Sequence, residues 1–116
     1  MRVLLDNCVP RRFGNHLTGY ETSSVVDLGW ANLDDGKLLD AMAGHFDALI
    51  TMDKGIRFQQ QLGHRSFGVL LLRARSNRLP DLLPLIPALR QALEAWRLRP
   101  AIWAFCRPQA VQDAGR

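Results

Sequence analysis

Short apolar runs and helix-spaced apolar stripes alternate along this chain. Val3-Leu4-Leu5 is a continuous run, the mark of a buried strand, and Asp6 follows it directly. Pro10 suits the first turn of a helix, predicted from Arg11 to Leu17 and stopping near Gly19. Glu21–Val26 reads as a second strand with Val25 and Val26 as its apolar end, broken by Asp27-Leu28-Gly29-Trp30. Leu33-Asp34-Asp35-Gly36 reads as a helix start with an aspartate available as cap. Leu38, Leu39, Met42 and Ala43 then form a stripe at helical spacing, and Gly44 ends it. Ala48-Leu49-Ile50-Thr51 is a third strand, closed by Asp53, and a short helix or turn is expected over Ile56 to Leu62. Val69–Leu72 is the clearest buried strand, and Arg73 to Arg78 a polar, basic loop. The longest helix is predicted from Pro80 to about Trp96, with Leu82, Leu85, Ile86, Leu89 and Leu93 inward and an irregular start at Pro84 and Pro87. Ala101–Phe105 reads as a last strand, and Pro108–Arg116 as a loose tail.

Strands alternating with helices imply βαβ units. The expected fold is a single three-layer α/β/α domain over residues 1–106, with a mainly parallel sheet of about five strands and a flexible tail over 107–116. The strand segments lack polar–apolar alternation, as expected when both faces of a sheet are covered. A chain of 116 residues makes one domain, and at that size a partner subunit adds useful burial. No apolar run approaches the roughly 20 residues that span a bilayer. Met1-Arg2 leads into only three apolar residues before Asp6, short of a signal-peptide core, so a cytoplasmic location is expected.

The net charge of +4, with 13 of the 15 basic residues arginine, favours polyanionic partners. The planar guanidinium fork suits phosphate in particular. Cys8 and Cys106 lie near opposite ends of the chain and are expected to be free thiols. There is no CxxC motif, and Gly14 stands where a Cys-x5-Arg phosphatase loop needs arginine. His16, His45 and His64 have no ligand-like spacing and read as structural or surface residues.

In an open parallel sheet, ligands bind beyond the C-terminal strand ends. Asp6 ends the first strand and Asp53 the third. Asp34 or Asp35 sits where a helix running back along the sheet begins, which is the same rim. Singly, each acid has a plainer role as a turn or cap residue. Gathered, they repel one another unless a cation neutralises them. Three aspartates without competing cysteine or histidine point to Mg²⁺ or Mn²⁺ rather than zinc. Such an ion lowers the pKa of water and holds a phosphodiester for attack. Within the Asp34-Asp35 pair, either residue can be the cap and the other the ligand. Asp40 reads as a solvated helix residue, and Asp27 and Asp47 are expected at the opposite ends of their elements.

Leu4-Leu5-Asp6-Asn7-Cys8-Val9-Pro10 resembles the opening segment of a PIN-like domain family of unknown function. Leu28-Gly29-Trp30 with Asp35-Gly36-Lys37-Leu38-Leu39 resembles that family's helix entry, and Asp47 to Gly55 its third strand end. The resemblance continues through Gly68–Arg73 and Asn77-Arg78-Leu79, over about residues 1 to 105. It implies a metal-dependent endoribonuclease fold related to PIN-domain toxins of bacterial toxin–antitoxin pairs, usually homodimeric and encoded beside an antitoxin protein. By position, Asp6, Asp35 and Asp53 match the metal acids, with Thr51 placed to hydrogen-bond a carboxylate or the metal's water. Asn7 replaces the glutamate usual beside Asp6, and Pro10–Thr18 offers no further acid. The site therefore carries three carboxylates rather than four.

Arg11 and Arg12, Lys54 and Arg57, and Arg73, Arg75 and Arg78 follow the same strand ends and offer a salt-sensitive track for an RNA strand. Trp30 offers a base-stacking surface, or more simply a core or interface contact; Trp96 and Trp103 read as structural. Two other readings compete. A catalytically weak or inactive module binding RNA or protein is consistent with the missing fourth acid. A phosphoacceptor receiver domain needs an acid pair after the first strand, Thr or Ser after the fourth and Lys after the fifth. Asp6-Asn7, Arg73-Ala74 and Cys106-Arg107 stand there instead.

Overall fold

The computed structural model describes residues 1–52, 67–98 and 103–106, without the side chains of 35, 98 and 103–106. Four parallel strands form the body of the sheet: β1 (Arg2–Leu5), β2 (Glu21–Ser24), β3 (Ala48–Thr51) and β4 (Gly68–Leu72). The backbone of β5 (Trp103–Cys106) pairs in parallel beyond β4, with Leu70 opposite Ala104. The order is β2-β1-β3-β4-β5. The chain leaves β1 toward one edge and returns to β3 on its other side, so the winding reverses between β1 and β3. Doubly wound sheets place their ligand crevice at such a reversal.

Successive strand residues point to opposite faces, and the core divides accordingly. Val3, Leu5, Ala48, Ile50, Leu70 and Leu72 pack on one face with Phe13, Leu17, Leu82, Leu85, Leu89 and Leu93. Leu4, Leu49 and Val69 pack on the other with Val25, Leu38, Leu39, Met42, Phe46 and Phe67. Helix α1 (Asp35–Met42) covers the second face. A 3₁₀ segment (Arg11–His16), α2 (Leu79–Leu82) and α3 (Ile86–Leu98) cover the first. Each fully buried leucine or phenylalanine contributes about 1.5–3 kcal/mol, so burial on both faces explains the unbroken apolar strands.

Two expectations need correction. Arg11–His16 is a 3₁₀ segment, not an α-helix. Gly14 lies so close to β2 that a Cβ there would sit 2.6 Å from Thr22 Oγ1, and this close approach fits the tighter turn. The second strand ends at Ser24, because Ser24 Oγ accepts the Val26 N–H and starts a turn. Val25 is buried but Val26 is 52% exposed. The long helix has the irregular start that its prolines lead one to expect: α2 passes through a 3₁₀ turn at Leu83–Leu85, which contains Pro84, before α3, which has Pro87 in its first turn.

The Ile56–Leu62 and 107–116 expectations lie outside the described residues. Among the described residues, no helix is long and apolar enough to cross a membrane.

Candidate active site

Asp6 leaves β1 at its C-terminal end, its N–H still bonded to Ile50 O of β3 at 2.9 Å. It shares the parity of Leu4, and Thr51 that of Leu49, so both side chains stand on the α1 face at the winding reversal. The Thr51 hydroxyl donates to Asp6 Oδ2 at 2.6 Å, and the Asn7 N–H donates to Asp6 Oδ1 at 2.7 Å. Thr51 is fully buried and Asp6 is 9% exposed. Among the described residues, no basic side chain pairs with the Asp6 carboxylate. An ionised carboxylate accepts at about four positions, so acceptor sites remain toward the cleft beside it.

That cleft, about 420 Å³, is lined by Asp6, Asn7, Cys8, Trp30, Leu38 and Met52, among others. Trp30 stands edge-on to Phe46, ring centres 6.1 Å apart, which fixes it as part of the wall and the α1-side core. Cys8 was not among the expected site residues. Its Sγ accepts the Met52 N–H at 3.3 Å and lies 3.9 Å from Asp6 Oδ2 and 3.8 Å from Thr51 Oγ1. Burial pushes the Cys8 thiol above its ordinary pKa; the Met52 N–H opposes this and the Asp6 charge reinforces it. It is therefore a protonated packing group at neutral pH and a poor nucleophile. Its only sequence signal is its place two residues after Asp6.

The helix entry separates the two adjacent acids. Asp34 is the N-cap of α1, its Oδ1 accepting the Lys37 N–H at 2.8 Å. Asp35 is the first residue of α1, and its side chain lies outside the described residues. Asp53, Lys54 and Arg57 also lie outside them. Asp6 and Thr51 are thus brought together. Among the described residues, no group of three or more His, Cys, Asp or Glu gathers as a metal site. Asp6, buried, oxygen-donating and without a basic partner among those residues, has the chemistry of a ligand for a hard cation.

Of the basic residues, Arg11, Arg12, Arg73, Arg75 and Arg78 are exposed. The Arg73–Arg78 loop is tied to the site, because Asn77 Nδ2 donates to Cys8 O at 3.1 Å. Arg11 is ion-paired with Asp27, Nη1 to Oδ1 2.6 Å. This corrects the expectation for Asp27, which follows the C-terminal end of β2 and so lies on the same rim as Asp6. Asp47 does lie at the opposite end, accepting the Arg2 N–H at the start of β1. No protein-family model matches the chain, and no curated protein or solved structure matches it either.

Proposed function

We propose that this domain is a metal-dependent, PIN-like endoribonuclease, the toxin of a bacterial toxin–antitoxin pair, acting on RNA phosphodiesters in the cytoplasm. The observation that carries the nuclease reading is the Asp6–Thr51 pair: a buried carboxylate, oriented by a neutral donor and open to a cleft at the winding reversal. A structural aspartate at that depth is ordinarily neutralised by a basic partner. The toxin role, the antitoxin protein and the homodimer rest on the sequence resemblance.

Asp6, Asp35 and Asp53 would hold Mg²⁺ or Mn²⁺, which when bound stabilises phosphoryl charge and lowers the pKa of water. Thr51 and the Asn7 N–H fix the Asp6 carboxylate in one orientation, so no reorganisation is required during reaction. Leu33, Leu38 and Met52 contribute apolar side chains to the wall of the same cleft. Arg73 and Arg75, on the loop docked to Cys8 through Asn77, would meet RNA phosphates. The receiver reading shares the strand order, but Asn7 is exposed and acts on Asp6 only through its main-chain N–H.

The test is incubation of purified protein with RNA and Mn²⁺, with and without chelator, beside Asp6→Asn. Chelator-sensitive cleavage that the variant lacks supports the assignment. Cleavage unchanged in both arms, or RNA binding without any cleavage, replaces it with a contaminant or with a non-catalytic binding module.

A further inference from the structure

A second cleft, of about 330 Å³, opens beside the same strand ends and is lined by Arg11, Arg12, Thr22, Ser23, Ser24 and Asp27 among others. Its lining is mainly polar, with Thr22, Ser23 and Ser24 of β2 along one side. Leu5 and Ser24, paired in register, line this cleft; Asp6 and Val25, the next residues of each strand, line the one described above. Consecutive strand residues face opposite ways, so the two clefts flank the ends of β1 and β2.

We propose that this second cleft is a phosphate subsite for single-stranded RNA, holding a phosphate flanking the one at Asp6. Two guanidinium groups face one carboxylate there. Arg11 uses one Nη1 contact on Asp27 and keeps its other N–H donors for an anion. The Arg11 and Asp27 side chains are 69% and 48% exposed, and exposed pairs of this kind exchange readily for a better anion. Ser24 Oγ accepts the Val26 N–H, which leaves its own O–H free to donate. Gly14 lets the 3₁₀ segment that carries Arg11 and Arg12 lie close against Thr22 of β2. The choice of RNA as the strand rests on the nuclease reading; the anion site stands on its own lining.

The experiment measures binding in EDTA, independently of cleavage. Inorganic phosphate is titrated against the ¹⁵N amide shifts of Ser23 and Ser24. A labelled single-stranded RNA octamer, with and without a 5′-phosphate, is titrated by anisotropy. Phosphate is expected to shift Ser23 and Ser24. Arg12→Gln should weaken RNA binding and reduce the log–log salt slope by about 0.7. Asp27→Asn should tighten binding roughly two- to fivefold by freeing Arg11, whereas Glu21→Gln, an acid removed at the other end of β2, should not. Preference for the 5′-phosphorylated octamer assigns the subsite to a terminal phosphate, and equal affinity to an internal one. Unmoved Ser23 and Ser24 amides, or Asp27→Asn behaving like Glu21→Gln, overturns the subsite. Phosphate binding without RNA binding overturns the strand assignment. If Asp6→Asn still cleaves while these binding results hold, the nuclease reading fails and the anion site survives.

Discussion

The Thr51 hydroxyl donates to Asp6 Oδ2 at 2.6 Å and so joins the C-terminal ends of β1 and β3 through a single charge-assisted bond. Hydrogen bonds to charged groups contribute about 1.5–3 kcal/mol. Thr51→Val keeps the shape and removes the donor from a fully buried position. It should lower unfolding free energy by about that amount in urea titrations, and lower RNA cleavage. Thr51→Ser restores the donor and should recover most of the cleavage. A Thr51→Val protein as stable and active as the parent would show that the bond does not orient Asp6.

Asp34 caps α1, and the proposed metal site gives its neighbour Asp35 a separate role. Asp34→Ala removes the cap on the Lys37 N–H and should cost about 1 kcal/mol of stability. Cleavage should persist wherever the protein remains folded. Asp35→Asn should change stability by less than about 0.5 kcal/mol and abolish cleavage. Paired urea titrations and RNA assays on both variants separate cap from ligand; the reverse pattern exchanges the two roles.

Much of the fold is legible because burial on two faces leaves a plain trace in composition. Ala48–Thr51 is a strand with the bounds its apolar run indicates, and the Leu38, Leu39, Met42 stripe is buried beneath α1. Less legible are features decided by contacts between distant segments. Gly14 looks like an ordinary helix residue until Thr22 is seen against it. Val26 looks like a strand residue until Ser24 turns the chain. Asp27 looks remote from the rim until β2 is paired beside β1, and Cys8 carries no motif that foretells its contact with Thr51. The placement of Asp6 follows from strand order alone. Its partner Thr51 was legible only as part of a sequence resemblance.

Gly14→Ala tests the close approach that shapes the second cleft. A Cβ would also meet Thr22 Cβ at 3.2 Å and Leu5 Cδ1 at 3.3 Å. Thr22 is β-branched and has little rotamer freedom to yield. Gly14→Ala should therefore destabilise by about 1–3 kcal/mol. Combined with Thr22→Ala it should destabilise by clearly less than the sum of the two single changes, a coupling read from a double-mutant cycle. Additive losses would mean that the segment yields elsewhere.

The Cys8 thiol, pushed up first by burial, makes stability depend on pH on the alkaline side. An unfolded thiol ionises near pH 8.5, and the folded one only at higher pH. Between the two, the native state holds more protons than the unfolded state, so stability falls as pH rises. Below the unfolded value both forms are neutral and the Cys8 contribution is flat. In EDTA, with Cys106→Ser as background, Cys8→Ala should flatten part of the decline above pH 8.5. Alkylation by iodoacetamide at pH 8 should be slow when native and fast in urea. Equal rates in the two states would place the thiol in solvent.

Metal binding is the remaining link between Asp6 and chemistry, and thermal stability reads it without any RNA. A cation bound only by the native state stabilises it by about 2.7 kcal/mol at a hundred times its Kd. Mn²⁺ should therefore raise Tm, and EDTA should reverse the rise. Asp6→Asn, Asp35→Asn and Asp53→Asn should each shift the Mn²⁺ dependence to higher concentration. The requirement for all three is the discriminating feature, because a surface carboxylate binding Mn²⁺ weakly would be indifferent to acids on separate segments. A rise that survives Asp6→Asn would place the ion elsewhere. A loss with Asp6→Asn and Asp53→Asn but not with Asp35→Asn would leave a two-acid site at the ends of β1 and β3.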